Sequence, residues 1–141
     1  MKSVDQGVSW EKLTTLPIKG FRKRSEHDPS FYRGWLGRLA VDPTDSNRIF
    51  ACHRAHDGLF RSTDGGRTFH CVLGLTRPWE MEVTERGTVF VCTWDSIGLY
   101  RSIDHGESFQ MIHDGMVHDF AVRPDDENIA VSYTHLTLPT N

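Results

Sequence analysis

Short apolar runs, broken by clusters of Gly, Pro and Asp, recur along the whole chain. No stretch carries the period of an amphipathic helix of useful length, so the runs predict β-strands. One set is read at Arg38 to Val41, Arg48 to His53, Gly58 to Ser62 and Thr68 to Leu73. A second follows at Glu80 to Thr84, Thr88 to Thr93, Gly98 to Ser102 and Ser108 to Ile112. A third opens at His118 to Val122 and is followed by Pro124-Asp125-Asp126. Asp42-Pro43-Thr44-Asp45 and Glu85-Arg86-Gly87 are turn signals between the first two strands of each full set.

The sets are copies of one another. Gly58-Leu59-Phe60-Arg61-Ser62 matches Gly98-Leu99-Tyr100-Arg101-Ser102, and each is followed by the same phrase. That phrase occurs three times: Ser3-Val4-Asp5-Gln6-Gly7-Val8-Ser9-Trp10, Ser62-Thr63-Asp64-Gly65-Gly66-Arg67-Thr68-Phe69 and Ser102-Ile103-Asp104-His105-Gly106-Glu107-Ser108-Phe109. The common pattern is Ser-x-Asp-x-Gly-x-Ser/Thr-aromatic. It reads as a tight turn joining two strands. Asp5, Asp64 and Asp104 accept hydrogen bonds from turn N–H groups, and Ser3, Ser62 and Ser102 do so more weakly. Gly7, Gly66 and Gly106 supply a backbone angle that other residues resist. Trp10, Phe69 and Phe109 are placed to fold down as core plugs. The three Asp residues are therefore expected to be structural. From Ser62 to Ser102, the last two phrases repeat with a period of about 40 residues, which fits an all-β fold of four-stranded antiparallel blades, a partial β-propeller.

The phrase resembles the Asp-box, the signature of bacterial neuraminidase repeats, and the chain resembles that sialidase-like β-propeller superfamily over nearly all of residues 1–130. Leu39-Ala40-Val41-Asp42-Pro43 with Asn47-Arg48-Ile49-Phe50 looks most like the xyloglucanase and sortilin-like branches. The resemblance implies that the Asp-boxes lie on the face away from the active site. The Arg-Ile-Pro motif of true sialidases is not found, so none of their catalytic residues transfers to this sequence.

The first two phrases, opening at Ser3 and Ser62, stand further apart than one period, by about nineteen extra residues. The layout expected from the spacing is the end of a truncated blade at 1–16, an inter-blade insertion loop at 17–37 and full blades at 38–74 and 75–114. The start of another blade follows at 115–130. Both ends look cut. Met1 falls in the middle of a hairpin, and residues 131–141 break the repeat in mid-strand. Val131-Ser132-Tyr133-Thr134-His135-Leu136-Thr137-Leu138-Pro139-Thr140 is also what a transposon-end sequencing adapter reads in translation. The tail is accordingly expected to be adapter-derived and is set aside from the fold.

Composition narrows the classes further. The chain has 141 residues, 25% charged and 38% hydrophobic, with net charge -3, an ordinary globular composition. The mild acidity gives no case for nucleic acid. No apolar run is long enough to cross a membrane. Cys52 and Cys92 sit in matching contexts, Phe50-Ala51-Cys52 and Phe90-Val91-Cys92, and are expected to fill equivalent core positions as free thiols. No cofactor is indicated, and the compartment is left open. His53-x-x-His56 beside Cys52 has no third ligand indicated, so no metal site is expected.

Strand direction alternates within a blade, so the loops opposite the Asp-boxes share one face. That face receives the insertion, with Tyr32 and Trp35. It also receives His53-Arg54-Ala55-His56-Asp57, Leu75-Thr76-Arg77-Pro78-Trp79, Thr93-Trp94-Asp95-Ser96 and His113-Asp114-Gly115-Met116. Tyr32, Trp35, Arg38, His53, Arg54, His56, Asp57, Trp79, Trp94 and Asp95 form the candidate ligand-binding set. Aromatic platforms flanked by Arg and Asp suit a sugar, while the bland alternative is an ordinary polar loop surface. Aligned inner strands make Arg38, Glu80 and Asp119 equivalent and aim them at one cup. Glu80 with Asp119 is the weak candidate for acid–base work on a glycoside; the alternative is a strand end ion-paired near Arg38. Two functions follow for the parent. One is a glycan-binding or glycoside-hydrolase-like propeller using the face opposite the boxes. The other is a non-catalytic propeller, sortilin-like or assembly-factor-like, that binds a protein partner there. The remaining partner expected is the missing blades of the same parent chain. The fragment itself is expected to be inactive. Sequencing the source DNA past the codon for Ala130 checks the reading of the ends. The frame is expected to diverge at Val131 into further strands, and a frame running through Asn141 to a stop would refute it.

Overall fold

A computed structural model describes residues 2–12, 36–53, 56–75, 78–93 and 98–133, the last stretch ending in a strand. For residues 36, 37, 53, 56, 57, 129, 132 and 133 the description is of the backbone alone. The described elements are all strands: β1 Leu36–Asp42, β2 Asp45–His53, β3 His56–Ser62, β4 His70–Leu73, β5 Pro78–Val83, β6 Val89–Thr93, β7 Leu99–Ser102, β8 Gln110–His113, β9 Asp119–Arg123 and β10 Asp126–Tyr133. They form two four-stranded antiparallel sheets, β1-β2-β3-β4 and β5-β6-β7-β8, and a two-stranded sheet of β9 and β10. The four-stranded antiparallel architecture agrees with the sequence reading.

The strand ends differ in ways that have local causes. β1 begins at Leu36, inside the stretch expected to be an insertion loop, and β3 takes in His56 and Asp57, expected in a loop. β5 begins at Pro78 rather than Glu80, which puts Trp79 on a strand. Proline is tolerated at a strand's first residue because no ladder hydrogen bond is lost there. β4 and β8 begin at His70 and Gln110, two residues later than expected. The delay arises because Thr68 and Ser108 are held by the preceding turns. β10 continues to Tyr133, with Val131 opposite Ala121 and Tyr133 opposite Asp119. Backbone pairing needs no particular side chain, so residues expected to be foreign to the fold still extend the ladder.

The sheets pack face to face through alternate residues of their strands. Phe50, Cys52 and Leu59 of the first sheet meet Met81, Val89 and Val91 of the second, with Leu75 beside them. Phe90, Cys92 and Leu99 of the second meet Phe120 and Val122 of β9 together with Val117. Phe50 and Phe90, one repeat apart, thus do the same work in successive interfaces. The Phe90 and Phe120 rings lie tilted with centroids 6.2 Å apart, a favourable aromatic geometry.

The three turns share one hydrogen-bonding scheme. Ser Oγ donates to the Asp carboxylate at 2.8, 2.7 and 2.7 Å in order along the chain. The same oxygen accepts from the N–H of Gly7, Gly66 and Gly106. The Asp then accepts both the N–H and the hydroxyl of Ser9, Thr68 or Ser108. These bonds, with the hydroxyl of Ser9 contributing most, lower the Asp5 pKa to about 2. The corresponding hydroxyls of Thr68 and Ser108 likewise hold Asp64 and Asp104 well below the usual carboxylate range. Gly106 is required twice over: its φ is 81°, and a Cβ there would lie 2.5 Å from the Phe50 ring. Phe69 is buried and Phe109 packs against the core, but Trp10 is 58% exposed. The expected third plug is thus not made. The Trp10 indole instead donates to its own turn, at Gly7 O.

A buried carboxylate locks the first two sheets together on the turn side. Asp42 is fully buried at the end of β1. It accepts from Thr44 N–H and Oγ1, bonds Arg48 Nη1 at 2.7 Å, and reaches His105 Nδ1 of the next sheet's turn at 3.0 Å. Arg61 adds a bond to His105 O at 3.0 Å and an ion pair with Glu107 at 2.8 Å. Burial works to raise the Asp42 pKa, but the bonds from Thr44, Arg48 and His105 outweigh it and hold the group well below its ordinary 3.8. A depressed folded-state value contributes stability above the unfolded value, and that stability is lost as pH falls through the folded one. Asp42→Ala leaves Arg48 without its buried partner and is expected to lower the unfolding free energy by about 3 kcal/mol in urea titration. Asp42→Asn is expected to flatten the loss of stability in acid, because the titrating group is gone.

Candidate functional site

The alternation of strands divides the connections between two ends of the sheets. The β1–β2, β3–β4, β5–β6 and β7–β8 turns lie at one end, where His105, Asp42 and Gly87 meet. The strand ends at His53, His56, Leu73, Pro78, Thr93, Leu99, His113 and Asp119 lie at the other. Of the candidate ligand-binding residues, Tyr32, Trp35, Arg54, Trp94 and Asp95 lie outside the described residues. His53 closes β2 and His56 opens β3, the two paired across the ladder, with Asp57 next along β3. Trp79 is half-buried on β5. The β8–β9 connection is described throughout, with Asp114 and Met116 exposed and Val117 buried.

The inner-strand alignment has a physical counterpart. Arg38 Nη2 and Glu80 Oε2 form an ion pair at 2.7 Å, linking β1 to β5. The hydrogen bond and charge of Glu80 raise the Arg38 pKa, and Asp119 is near enough to add to the effect. Asp119 itself accepts from the Phe120 N–H at 2.9 Å. Paired this way, the Glu80 carboxylate has one oxygen engaged by a cation. Work on a substrate would require Arg38 to turn away, and with more than half its surface exposed it has room to do so. Glu80 and Asp119 are equivalent positions on neighbouring inner strands, but only Glu80 is held by Arg38.

A third carboxylate was not among the candidates from the sequence. Glu82 follows Glu80 on the same side of β5 and accepts a hydrogen bond from the Val122 backbone in the gap between β5 and β9. Its pKa is raised, chiefly by burial, with the charge of Glu80 adding to the effect. The available signal was the alignment itself, where Glu82 stands opposite Ala40 and Ala121. Cys52 and Cys92 lie buried beneath the Arg38, Glu80 and Asp119 group as free thiols. Burial pushes the Cys92 thiol up to about 11, and the neighbouring carboxylates push in the same direction. Cys71 on β4 is exposed. Among the described residues no three His, Cys, Asp or Glu side chains gather in a metal-holding group.

The chain is similar to curated xyloglucanases over part of its length. It is 42% identical over 76 residues to the xyloglucanase of Hypocrea jecorina (strain QM6a), covering 54% of this chain and 8% of that protein. It is 37% identical over 78 residues to xyloglucanase Xgh74A of Acetivibrio thermocellus, covering 55% and 8%. A Paenibacillus sp xyloglucanase is 35% identical over 78 residues, covering 55% and 7%. The chain thus spans about 8% of the length of the first relatives it matches. The crystal structure of an ancestral GH74 enzyme superposes with a TM-score of 0.56 at 18% identity, over 69% of this chain and 16% of that one. That likeness is one of fold: GH74 enzymes are β-propellers, and the four-stranded antiparallel sheets here are consistent with blades of one. No protein-family model matches the chain.

The thiols give a direct check on the inner-strand packing. With Ellman's reagent at neutral pH, Cys71 is expected to react at once, and Cys52 and Cys92 only after unfolding. Rapid reaction of all three in the native protein would contradict the burial described.

Proposed function

We infer that the chain is part of a glycan-binding or glycoside-hydrolase-like β-propeller whose ligand lies on the face opposite the Ser-x-Asp turns. The observation that carries this reading is the 42% identity over 76 residues to a xyloglucanase. The chemistry of the opposite face supports it. Trp79 offers an apolar platform. Arg38, Glu80 and Asp119 offer hydrogen bonds to hydroxyls. Sugar rings present apolar faces edged by hydroxyls, which is the combination such a surface recognises. The turn side has its carboxylates committed to internal hydrogen bonds, which leaves them little capacity for a ligand.

The substrate class that follows is a β-glucan backbone with branches, as in xyloglucan. In the intact parent, Glu80 and Asp119 are the pair for acid–base work, Glu80 being freed when Arg38 turns away. The 141-residue chain supplies only part of such a cup, so binding without turnover is expected. Affinity electrophoresis in gels containing xyloglucan is expected to retard the chain, and to do so more than gels containing an unbranched soluble cellulose. Trp79→Ala is expected to weaken the retardation about threefold to tenfold, the worth of one aromatic contact. No reducing ends should be released. Migration unchanged in every glycan gel would refute the glycan reading. Steady release of reducing ends would refute the expected inactivity.

A further inference from the structure

We propose that Glu82 is a proton-operated latch between the inner strands β5 and β9: uncharged, it lets β9 close on β5 and holds Glu80 and Asp119 in one cup; ionised, it loosens that closure. The latch stands on the packing of the two strands. Its effect on a glycan rests on the reading given above, as a regulation of that same site.

The seat of Glu82 is apolar. Its counterparts on β1 and β9 are Ala40 and Ala121, and Ala40 packs against the core between the first two sheets. Glu82 pairs with Phe90 across the β5–β6 ladder, so both side chains leave the same face of the second sheet. That is the face β9 covers. Phe90 meets Phe120 there with ring centroids 6.2 Å apart, and Cys92 and Val122 belong to the same cluster. A carboxyl group thus stands where the preceding interface carries a methyl group.

Its charge is also uncompensated. The other carboxylates drawn into the interfaces have cations beside them. Asp42 bonds Arg48 at 2.7 Å, and Glu80 bonds Arg38 at 2.7 Å. Glu127 takes hydroxyls from Thr84 and Thr88 and feels the charges of Arg86 and Arg101. Glu82 has the Val122 N–H of β9, and the charge that acts on it is the negative one of Glu80. The remaining ionisable groups around the gap do not change this. Asp119 on β9 is itself acidic, and Arg123 on β9 is tied to Asp125. Arg101 on β7 stands over the Phe90 ring at 5.6 Å, and the Cys92 thiol on β6 is held neutral by burial. A buried charge without a partner is costly, and a carboxyl group escapes that cost by keeping its proton.

Burial and Glu80 accordingly hold the Glu82 carboxyl above its ordinary 4.5, against the Val122 bond. A carboxyl raised on folding stabilises the closed state while protonated, and that stability is lost as pH rises through its folded value. Closure is therefore tightest in mild acid. Glu80 and Asp119 sit on the two strands the latch joins, so the spacing of that pair follows its state.

Amide hydrogen exchange of the whole isotope-labelled chain, followed residue by residue and corrected for intrinsic rates, reads the closing of β9. From about pH 5 to about pH 8, protection of the β9 amides, Val122 above all, is expected to fall at least threefold relative to the β3 amides. The Val122 amide resonance is expected to titrate with a midpoint above 4.5. Glu82→Gln keeps an acceptor for Val122 and cannot ionise, so it is expected to hold the acid-level protection throughout and to lose that titration. His118, just before β9, is common to both chains, so the difference between them belongs to Glu82. Protection of β9 that stays level or rises with pH overturns the proposal, as does a Glu82→Gln chain that follows the wild type. In xyloglucan gels the wild type is expected to be retarded at least twofold more at about pH 5 than at about pH 8, and Glu82→Gln equally at both. Unchanged migration in every gel beside a titrating β9 refutes the glycan reading and supports the latch. Level β9 protection refutes the latch whatever the gels show.

Discussion

Each sheet is apolar on both faces, and this is the constraint on which the rest depends. Every residue of β6, Val89–Thr93, is buried. A strand sends alternate side chains to opposite faces, so a strand buried throughout must be covered on both sides. Val89 and Val91 are covered by the first sheet, and Phe90 and Cys92 by β9 and its neighbours. No single sheet of this sequence could bury its own apolar residues, which is the defining property of repeat folds. Stability is therefore a property of neighbours. The central sheet is satisfied, while Leu39 and Val41 at the head remain open to water.

Polar groups at one end of the stack fix how the sheets align. Hydrophobic contact is non-directional and would allow the sheets to slide. Asp42 bridges Arg48 of its own sheet and His105 of the next, and Thr88 donates to Glu127 across the second interface at 2.6 Å. These buried, hydrogen-bonded contacts are directional and specify a register. They also use up the turn end of the molecule. The opposite end is left with Arg38, Glu80 and Asp119, where the ion pair is bonded as closely but Arg38 is exposed. The division between a locked end and a more exposed one thus follows from where these contacts lie.

The strand set and the turn chemistry were legible because both rest on local rules. The internal repeat aligned Phe50 with Phe90 and Cys52 with Cys92, and these do occupy equivalent places in successive interfaces. The bonding of Asp64 and Asp104 could be drawn from residue types and spacing alone. Trp10 shows the limit of that reasoning. Its phrase matches the others, yet a plug requires a sheet beneath it, and the residue lies exposed. The candidate site was less legible. Alignment placed Arg38, Glu80 and Asp119 together but could not say that Arg38 would take Glu80 and leave Asp119 on its own strand. Glu82 was passed over because a carboxylate in a strand reads as solvent-facing until its neighbouring sheet is known.

By itself, the sequence determined the period, the alternation of buried positions and the conformation of each Ser-x-Asp turn. All are set by contacts between residues close along the chain. Tertiary structure alone decided which charges meet. The partners Arg38 and Glu80 are separated by 42 residues, and Asp42 and His105 by 63. Such pairings depend on how two sheets sit against each other, and no local pattern encodes the few ångströms over which a hydrogen bond is made or lost.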